Sequence, residues 1–164
     1  MLYVVAHGAG AGMRHPFLDG VARALAAHQI GTLRYQFPYM EAGKSRTYTP
    51  HVAAGAVRAA AEAAARAAPG LPLLAGGKSF GGRMTSTAAA QAPLPGVRGI
   101  VFLGFPLHPP GTPGDARAAH LGDVTVPMLF LQVTRDDFAR LEFLQPVCER
   151  LGIRATLQLV EGAD

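Results

Sequence analysis

Short apolar runs alternate with helix-length segments along the whole chain, and this alternation restricts the fold more than any other feature. Six runs have the length and the Val, Leu, Ile and Phe content of buried strands: Leu2–Ala6, 31–37, 72–75, 97–104, 126–133 and 154–160. Four segments have helical spacing or a high alanine content: 16–28, 50–68, 81–91 and 138–151. Strands and helices that alternate form a parallel sheet through right-handed crossovers, with helices on both faces.

The pattern therefore predicts a three-layer, doubly wound α/β fold with a mostly parallel sheet of about six strands. The 164 residues, 49% of them hydrophobic, supply one core and leave no room for a second one, so residues 1–164 are predicted to form a single domain. Two stretches rich in Pro, Gly and Thr, 38–50 and 105–122, interrupt the alternation and are predicted to be loops, where function is often carried.

Charge and composition argue against nucleic acid and membranes as partners. The net charge of +4 comes from singly spread basic residues, mostly Arg, and this distribution indicates a solvated surface and not a nucleic-acid interface. The first residues lack the features of a signal peptide and no run is long enough to span a membrane, so we expect a cytoplasmic protein without membrane contact. The lone Cys148 lies in a helical pattern and is predicted to be a buried apolar residue. The usage of Ala, Arg, Gly and Pro is typical of a GC-rich bacterial genome.

A serine motif follows the third predicted strand. Gly77, Ser79 and Gly81 form G-x-S-x-G between an apolar run and a helix-compatible segment. A serine on a sharp strand-to-helix turn needs glycines around it, because neighbouring chains approach too closely for Cβ atoms. The motif alone is weak in a chain with 20 glycines, but its context predicts that Ser79 is a nucleophile.

Two phosphate-binding motifs fail on spacing. A P-loop ending in Gly77-Lys78-Ser79 needs a glycine at position 72, which is Pro72. The dinucleotide fingerprint after the first strand would place its third glycine on Met13 or His15. No cofactor is therefore expected, and no metal either, since no cluster of His, Cys and Asp has ligand spacing.

An acyl-transfer serine needs two N–H donors where the oxyanion forms. One comes from the residue after the nucleophile, Phe80, and the other from a loop after a neighbouring strand. The glycine-rich loop 7–13 would meet the turn at Ser79 if the first strand pairs with the third, although a plain tight turn is the alternative for this loop.

The serine also needs a histidine base held by a carboxylate, in the chain order Ser, Asp or Glu, His. Asp136 follows the strand 126–133 and is the candidate acid, while Asp137 is the runner-up and also fits the N-cap of the next helix. The histidine should follow the last strand, but residues 161–164 contain none.

Together the motifs resemble the α/β-hydrolase fold, and specifically its small bacterial dienelactone-hydrolase-like subgroup. The segments that carry the resemblance are A-H-G-A-G-A-G-M at 6–13, F-P-Y-M-E-A-G at 37–43, G-G-K-S-F-G-G-R-M at 76–84, F-P-L-H-P-P-G at 105–111, L-Q-V-T-R-D at 131–136 and E-G-A-D at 161–164. The resemblance implies a minimal form of the fold with strand order 2-1-3-4-5-6. It assigns Ser79 as nucleophile, Asp136 as acid, and the N–H groups of Ala9 and Phe80 as oxyanion donors.

The chain departs from the family pattern in three places. Val133 stands where the family usually has glycine, and the first strands of the full fold are missing. The family's catalytic histidine would come directly after Asp164, which implies a C-terminal truncation with the final helix missing. Without that helix, apolar side chains such as Leu157 and Leu159 or their neighbours would be uncovered, so we expect a homodimer through this edge.

The sequence thus predicts hydrolysis of a small ester, lactone or thioester through an acyl-Ser79 intermediate. The alternative is a non-catalytic binding or scaffold protein that keeps the fold but lacks the triad histidine. His7, Lys78 and His108 are candidate substrate contacts, with Lys78 favouring a carboxylated or phosphorylated substrate. For His108 a loop-positioning hydrogen bond is the alternative.

Overall fold

The fold is described from a computed structural model, which covers residues 1–44, 47 and 49–161. The end of the last motif, residues 162–164, lies outside the described residues, and so does the predicted truncation. The strands are β1 (Leu2–Ala6), β2 (Gly31–Tyr35), β3 (Leu73–Lys78), β4 (Val97–Leu103), β5 (Met128–Val133) and β6 (Ala155–Val160).

All six strands belong to one parallel sheet with the order β2-β1-β3-β4-β5-β6. This order confirms the predicted one. From β1 the chain adds β2 on one side, and from β3 it adds the later strands on the other side. The loops that follow β1 and β3 therefore lead to opposite faces of the sheet, and a crevice lies between them at the carboxyl ends of the two strands. The residues after β1 and after β3 therefore lie side by side.

The helices are α1 (Pro16–Ala27), α2 (Pro38–Glu41), α3 (Pro50–Ala67), α4 (Phe80–Gln91) and α5 (Leu141–Leu151), with 3-10 helices at Ala116–Asp123 and Gly152–Arg154. The prediction that 38–50 and 105–122 are loops was wrong in part, because each contains a short helix. Pro38 occupies the first turn of α2, where its fixed φ suits a helix and its missing N–H costs nothing. No described helix is both long enough and apolar enough to cross a membrane.

The start of α5 also differs from the prediction. The helix begins at Leu141 and not at 138, and its N-cap is Arg140, so the interpretation of Asp137 as the cap was wrong. The physical reason is a turn at Asp136, whose carboxylate and carbonyl oxygens accept the N–H groups of Phe138 and Ala139. These bonds keep the chain out of the helix for one further turn.

The main core lies between the sheet and the helices α3, α4 and α5. The alanine-rich face of α3 packs closely there, and its buried members are Ala53, Ala54, Ala60, Ala61 and Ala64. Cys148 of α5 is buried and free, as predicted. On the opposite face of the sheet, α1 covers β1 through Leu18, which packs with Tyr3 and Val5.

Beside α1, the same face carries an open groove of about 380 Å³ lined only by apolar and aromatic residues. We call it the apolar groove; the strands contribute Tyr3, Leu74, Val101, Leu103, Leu129 and Leu131. The expectation that Leu157 and Leu159 or their neighbours would be uncovered was wrong for these two leucines, which are half-buried, whereas Leu129 and Leu131 on the next strand line the open groove. Leu157 pairs in register with the fully buried Phe130, and alternate strand residues point to opposite faces, so Leu157 packs into the core under α5.

Candidate active site

Ser79 occupies the strained turn between β3 and α4. Its backbone has φ +48° and ψ −112°, a conformation that costs a residue with a side chain on the order of 1–3 kcal/mol. Hydrogen bonds from the surroundings hold it: the Ser79 N–H donates to the carbonyl oxygens of Leu103 and Gly104 at 3.3 and 3.1 Å, and the Arg83 N–H donates to the Ser79 carbonyl at 3.1 Å. The main chain therefore fixes the direction of the Ser79 Cα–Cβ bond.

Two glycines beside Ser79 allow a very close approach of β1. A Cβ on Gly77 would lie 2.3 Å from the carbonyl oxygen of Ala6, and one on Gly81 would lie 2.5 Å from that of His7. Neither distance is tolerable for real atoms, so the glycines of the G-x-S-x-G motif are required by packing at this turn.

The loop that follows β1 is folded around the buried His7. The His7 Nε2 accepts the Phe37 N–H at 3.1 Å, which places the ring proton on Nδ1, the atom that lies 2.8 Å from the carbonyl oxygen of Gly8 and donates to it. Burial lowers the pKa of His7, partly offset by the Gly8 hydrogen bond, so the ring is neutral. Both ring nitrogens are engaged by the backbone, and neither is open to a ligand or to Ser79.

Ala9 and Phe80, the predicted oxyanion donors, lie on this loop and at the first position of α4. The Ala9 N–H shares a peptide unit with the Gly8 carbonyl, which His7 Nδ1 holds at 2.8 Å, and the Ala9 carbonyl on the next unit accepts the Tyr39 hydroxyl at 2.9 Å. The Phe80 ring packs against Phe37 at 5.4 Å between centroids. Since the first N–H groups of a helix have no partner inside the helix, the Phe80 N–H is not consumed by α4.

Asp136 lies in the loop after β5, and both of its carboxylate oxygens are held. Oδ2 accepts the side-chain amide of Gln132 at 2.6 Å, and Oδ1 accepts the Phe138 N–H at 2.8 Å. Oδ2 is 3.7 Å from the place that a Cβ on Gly104 would occupy, and Gly104 is the residue that accepts the Ser79 N–H. Asp136 thus faces the Ser79 turn, whereas the neighbouring Asp137 is exposed.

Gln132 was missed by the sequence reasoning. It is fully buried in β5, and its Oε1 accepts the Phe105 N–H at 2.9 Å while its Nε2 holds Asp136. It therefore links the loop after β4 to the carboxylate. The available signal was a lone amide within the apolar strand M-L-F-L-Q-V, four residues before the acid.

His108 is buried and connects the two long loops near Asp136. Its Nε2 accepts the Arg140 N–H at 3.3 Å, its Nδ1 lies 3.0 Å from the Pro109 carbonyl oxygen, and its backbone N–H donates to Phe138. These hydrogen bonds position the loops, as in the alternative to a substrate contact that the sequence left open for His108. Both ring nitrogens are engaged, and neither is open to a ligand.

Two open cavities of about 270 Å³ each meet at Lys78 and Ser79. The first, the acid-side cavity, is lined in addition by Gly104, Pro106, Val133, Arg135, Asp136, Asp137 and Phe138. The second, the loop-side cavity, is lined in addition by His7, Gly8, Gly10, Ala11, His15, Phe17 and Leu18. The serine therefore has room for substrate groups on both sides, with the carboxylates on one side only.

None of the six histidines, all of which lie in the described part of the chain, forms a hydrogen bond with Ser79. His15 lines the loop-side cavity, but its Nδ1 accepts the Phe17 N–H and caps α1. His120 lies 2.8 Å from the hydroxyl of the buried Ser86 on the other side of α4. Within residues 1–44, 47 and 49–161, no group of three or more His, Cys, Asp or Glu side chains could hold a metal ion.

A parallel sheet of this order, with a strained serine turn at its centre and an acid loop two strands away, defines the fold class of the α/β serine hydrolases. Residues 1–164 match the family described as alpha/beta hydrolase domain, and the chain belongs to that family.

Solved structures with the same fold include an alpha-beta serine hydrolase homologue from Coxiella burnetii. It has 16% identity and a TM-score of 0.81 over 99% of this chain and 76% of that one. A monoacylglycerol lipase from Paleococcus ferrophilus has 16% identity and a TM-score of 0.76, over 99% and 84% of the two chains. A lidless a/b serine hydrolase from Xanthomonas campestris has 21% identity and a TM-score of 0.75, over 99% and 72%.

These low identities establish the fold alone, and no curated protein is similar enough to the chain to add a relative of known activity. The assignment to the dienelactone-hydrolase-like subgroup stays a prediction.

Proposed function

We propose that this protein is a serine hydrolase that cleaves a small ester, lactone or thioester through an acyl-Ser79 intermediate. The observation that carries the proposal is Ser79 itself, which is held at a positive φ by three main-chain hydrogen bonds between two cavities. A strained turn of this kind persists only where the surroundings enforce it, and such turns are concentrated at active sites. In this proposal the turn is a nucleophile elbow.

The reaction begins when the Ser79 oxygen forms a bond to the substrate's carbonyl carbon and its proton passes to a histidine base. The carbonyl electrons move to oxygen, and the N–H groups of Ala9 and Phe80 stabilise the resulting oxyanion. Collapse of the intermediate breaks the bond to the leaving oxygen or sulfur, which takes the proton from the base. Water then attacks the acyl-serine in the same way, releasing the carboxylic acid and restoring Ser79.

Asp136 orients the base and stabilises its protonated form in this scheme. Support comes from the two hydrogen bonds to its oxygens, which fix the carboxylate before substrate binds. The base in this scheme is a histidine, as the family resemblance implies. His7 and His108 serve to hold the loops, because backbone groups occupy their ring nitrogens.

The resemblance to dienelactone-hydrolase-like proteins supports a lactone as one substrate type. A cytoplasmic location and a bacterial origin remain proposals based on composition.

The test is labelling with a fluorophosphonate probe, applied to the protein expressed from its complete reading frame. We expect one covalent adduct, located by peptide mass spectrometry at Ser79 and lost in Ser79→Ala. Ser86→Ala is the matched control, because Ser86 is fully buried and out of reach of the probe, so this variant keeps the label.

One observation favours a second function. Since none of the six histidines, all of them described, forms a hydrogen bond with Ser79, a binding or scaffold protein would show the same geometry. Unlabelled wild-type protein with a normal cooperative unfolding transition would overturn the hydrolase and leave the binding protein.

A further inference from the structure

Lys78 is the last residue of β3 and lies directly before Ser79 in the chain, and its side chain is exposed. Its ammonium group lies 5.1 Å from the centroid of the Phe17 ring, which lines the loop-side cavity. The same nitrogen is 3.7 Å from where a Cβ on Gly104 would be, and Gly104 lines the acid-side cavity. One cation therefore borders both cavities where they meet at the nucleophile.

The two cavities differ in the charges around this cation. On the acid side, Arg135, Asp136 and Asp137 add charges of both signs. Among the described residues that line the loop-side cavity, there is no Asp, Glu or Arg, and the buried His7 is neutral. No carboxylate in the described ranges forms an ion pair with Lys78.

The loop-side cavity also suits a particular part of the substrate. In the proposed reaction the leaving group takes a proton from the base, and the base is oriented by Asp136, so the leaving group lies on the acid side. The acyl chain then extends into the loop-side cavity, beside Phe17, Leu18 and Lys78. At about 270 Å³ this cavity is slightly below the range typical of small-molecule sites, about 300–1,000 Å³, and fits a short chain.

We propose that Lys78 selects substrates whose acyl chain ends in a carboxylate, so that the preferred substrates are half esters or half thioesters of short dicarboxylic acids. The inference rests on the proposed hydrolase function. The apolar walls accept the methylene groups of the chain, and the ammonium group accepts its terminal anion. The substrate then supplies a negative charge to the loop-side cavity, whose described lining residues include no carboxylate.

The test compares two ethyl esters of equal chain length, ethyl hydrogen glutarate and ethyl pentanoate, with hydrolysis followed by alkali uptake at constant pH. We expect wild-type protein to prefer the glutarate. Lys78→Met removes the charge but keeps the bulk, and we expect it to lower the preference by about tenfold through KM, as for the loss of a hydrogen bond to a charged group. The quantity compared is the ratio of the two kcat/KM values, so an effect of the substitution that is common to both esters cancels.

Two controls accompany this variant. Lys78→Arg keeps the charge and retains most of the preference. Arg66→Met removes an exposed cation in the last turn of α3, shortly before β3 begins and so at the other end of that strand from Lys78, and leaves both esters unaffected. Added salt reduces the preference in wild-type protein, since an exposed charge is screened.

An unchanged preference in Lys78→Met would overturn the inference. An equal loss of kcat for both esters would also overturn it, because Lys78 would then act on the oxyanion common to both reactions. In either case fluorophosphonate labelling of Ser79 persists, so the hydrolase proposal survives. Loss of labelling in wild-type protein removes the hydrolase proposal and this inference together.

Discussion

At the scale of single residues, the candidate site depends on side chains that never touch a substrate. Gln132 is the clearest case, since one buried amide satisfies both the Phe105 N–H and the Asp136 carboxylate. Burying a polar side chain of this kind lowers the stability of the fold little while both of its hydrogen-bond partners are present. The loss of stability is large when one partner is left without its bond.

We expect Gln132→Leu to lower the free energy of unfolding by about 1–3 kcal/mol, because it leaves the Phe105 N–H without its acceptor. Urea denaturation measures this change. Gln158→Leu is the matched control: Gln158 is exposed on β6, and its amide donates to the Leu159 carbonyl alone. Equal effects of the two substitutions would contradict the role given to Gln132.

The strain at Ser79 gives a second prediction. Glycine adopts φ +48° without the cost that any Cβ imposes, so Ser79→Gly should be more stable than Ser79→Ala by about 1 kcal/mol. Thermal unfolding of the two variants, neither of which has a hydroxyl, isolates the backbone effect. If Ser79→Gly is the less stable of the two, the turn is not strained.

The neutral, buried His7 makes stability depend on pH. Its pKa lies below the ordinary value of 6.5 because of burial, so the unfolded chain binds the proton more readily. The contribution of the neutral His7 ring to the free energy of unfolding is fully present above pH 6.5, and it is lost as the pH falls below that value. Burial lowers the pKa of His120 as well, which adds to the same trend. Urea midpoints at pH 7.5 and 5.5 should differ more in wild-type protein than in His7→Asn, and equal differences would count against this account.

At the scale of elements, α3 depends on small side chains on the face toward the core. Ala61 is fully buried there, while Ala59 on the same helix is exposed. Helix α3 packs against α4 and the sheet, so added volume at Ala61 has nowhere to go.

We therefore expect Ala61→Leu to destabilise the protein by about 1–3 kcal/mol through overpacking, and Ala59→Leu to have an effect within about 0.5 kcal/mol. Chemical denaturation of the two variants measures the difference between their free energies of unfolding. The helix propensity of leucine is common to both variants and cancels in this difference. A tolerated Ala61→Leu would mean that α3 can move away from the sheet.

The elements also show what could be predicted from the sequence. The strands were predictable because period and length identify buried strands, and their order followed from the resemblance to the α/β-hydrolase fold. The late start of α5 was not, since it depends on hydrogen bonds to Asp136, and neither was Gln132, whose partner lies 27 residues away. Leu157 was misplaced because alternation says which residues share a face, but not which face a helix covers.

At the scale of the whole molecule, the two faces of the sheet are unequally covered. Helices α3, α4 and α5 cover one face, whereas the apolar groove on the other is open beside α1. Contiguous apolar surface of this kind marks an association site. The homodimer expected from the sequence at the C-terminal edge would use this groove instead, since Leu157 packs against the core under α5 while the groove is open.

Light scattering of residues 1–164 should then show dimers or larger species, and Leu129→Glu in the groove should shift them toward monomers. Ala59→Glu, at an exposed position of α3 on the other face of the sheet, is a control that adds the same charge away from the groove. A monodisperse wild-type monomer would exclude this association.

The hydrogen bonds that hold the Ser79 turn all belong to the main chain, and this has a practical consequence. Removing the hydroxyl leaves the turn, the loops and both cavities in place, so Ser79→Ala should still bind a substrate that it can no longer cleave. The variant is therefore a capture reagent: incubated with a metabolite extract, isolated by gel filtration and then denatured, it would release its natural ligand intact for mass spectrometry.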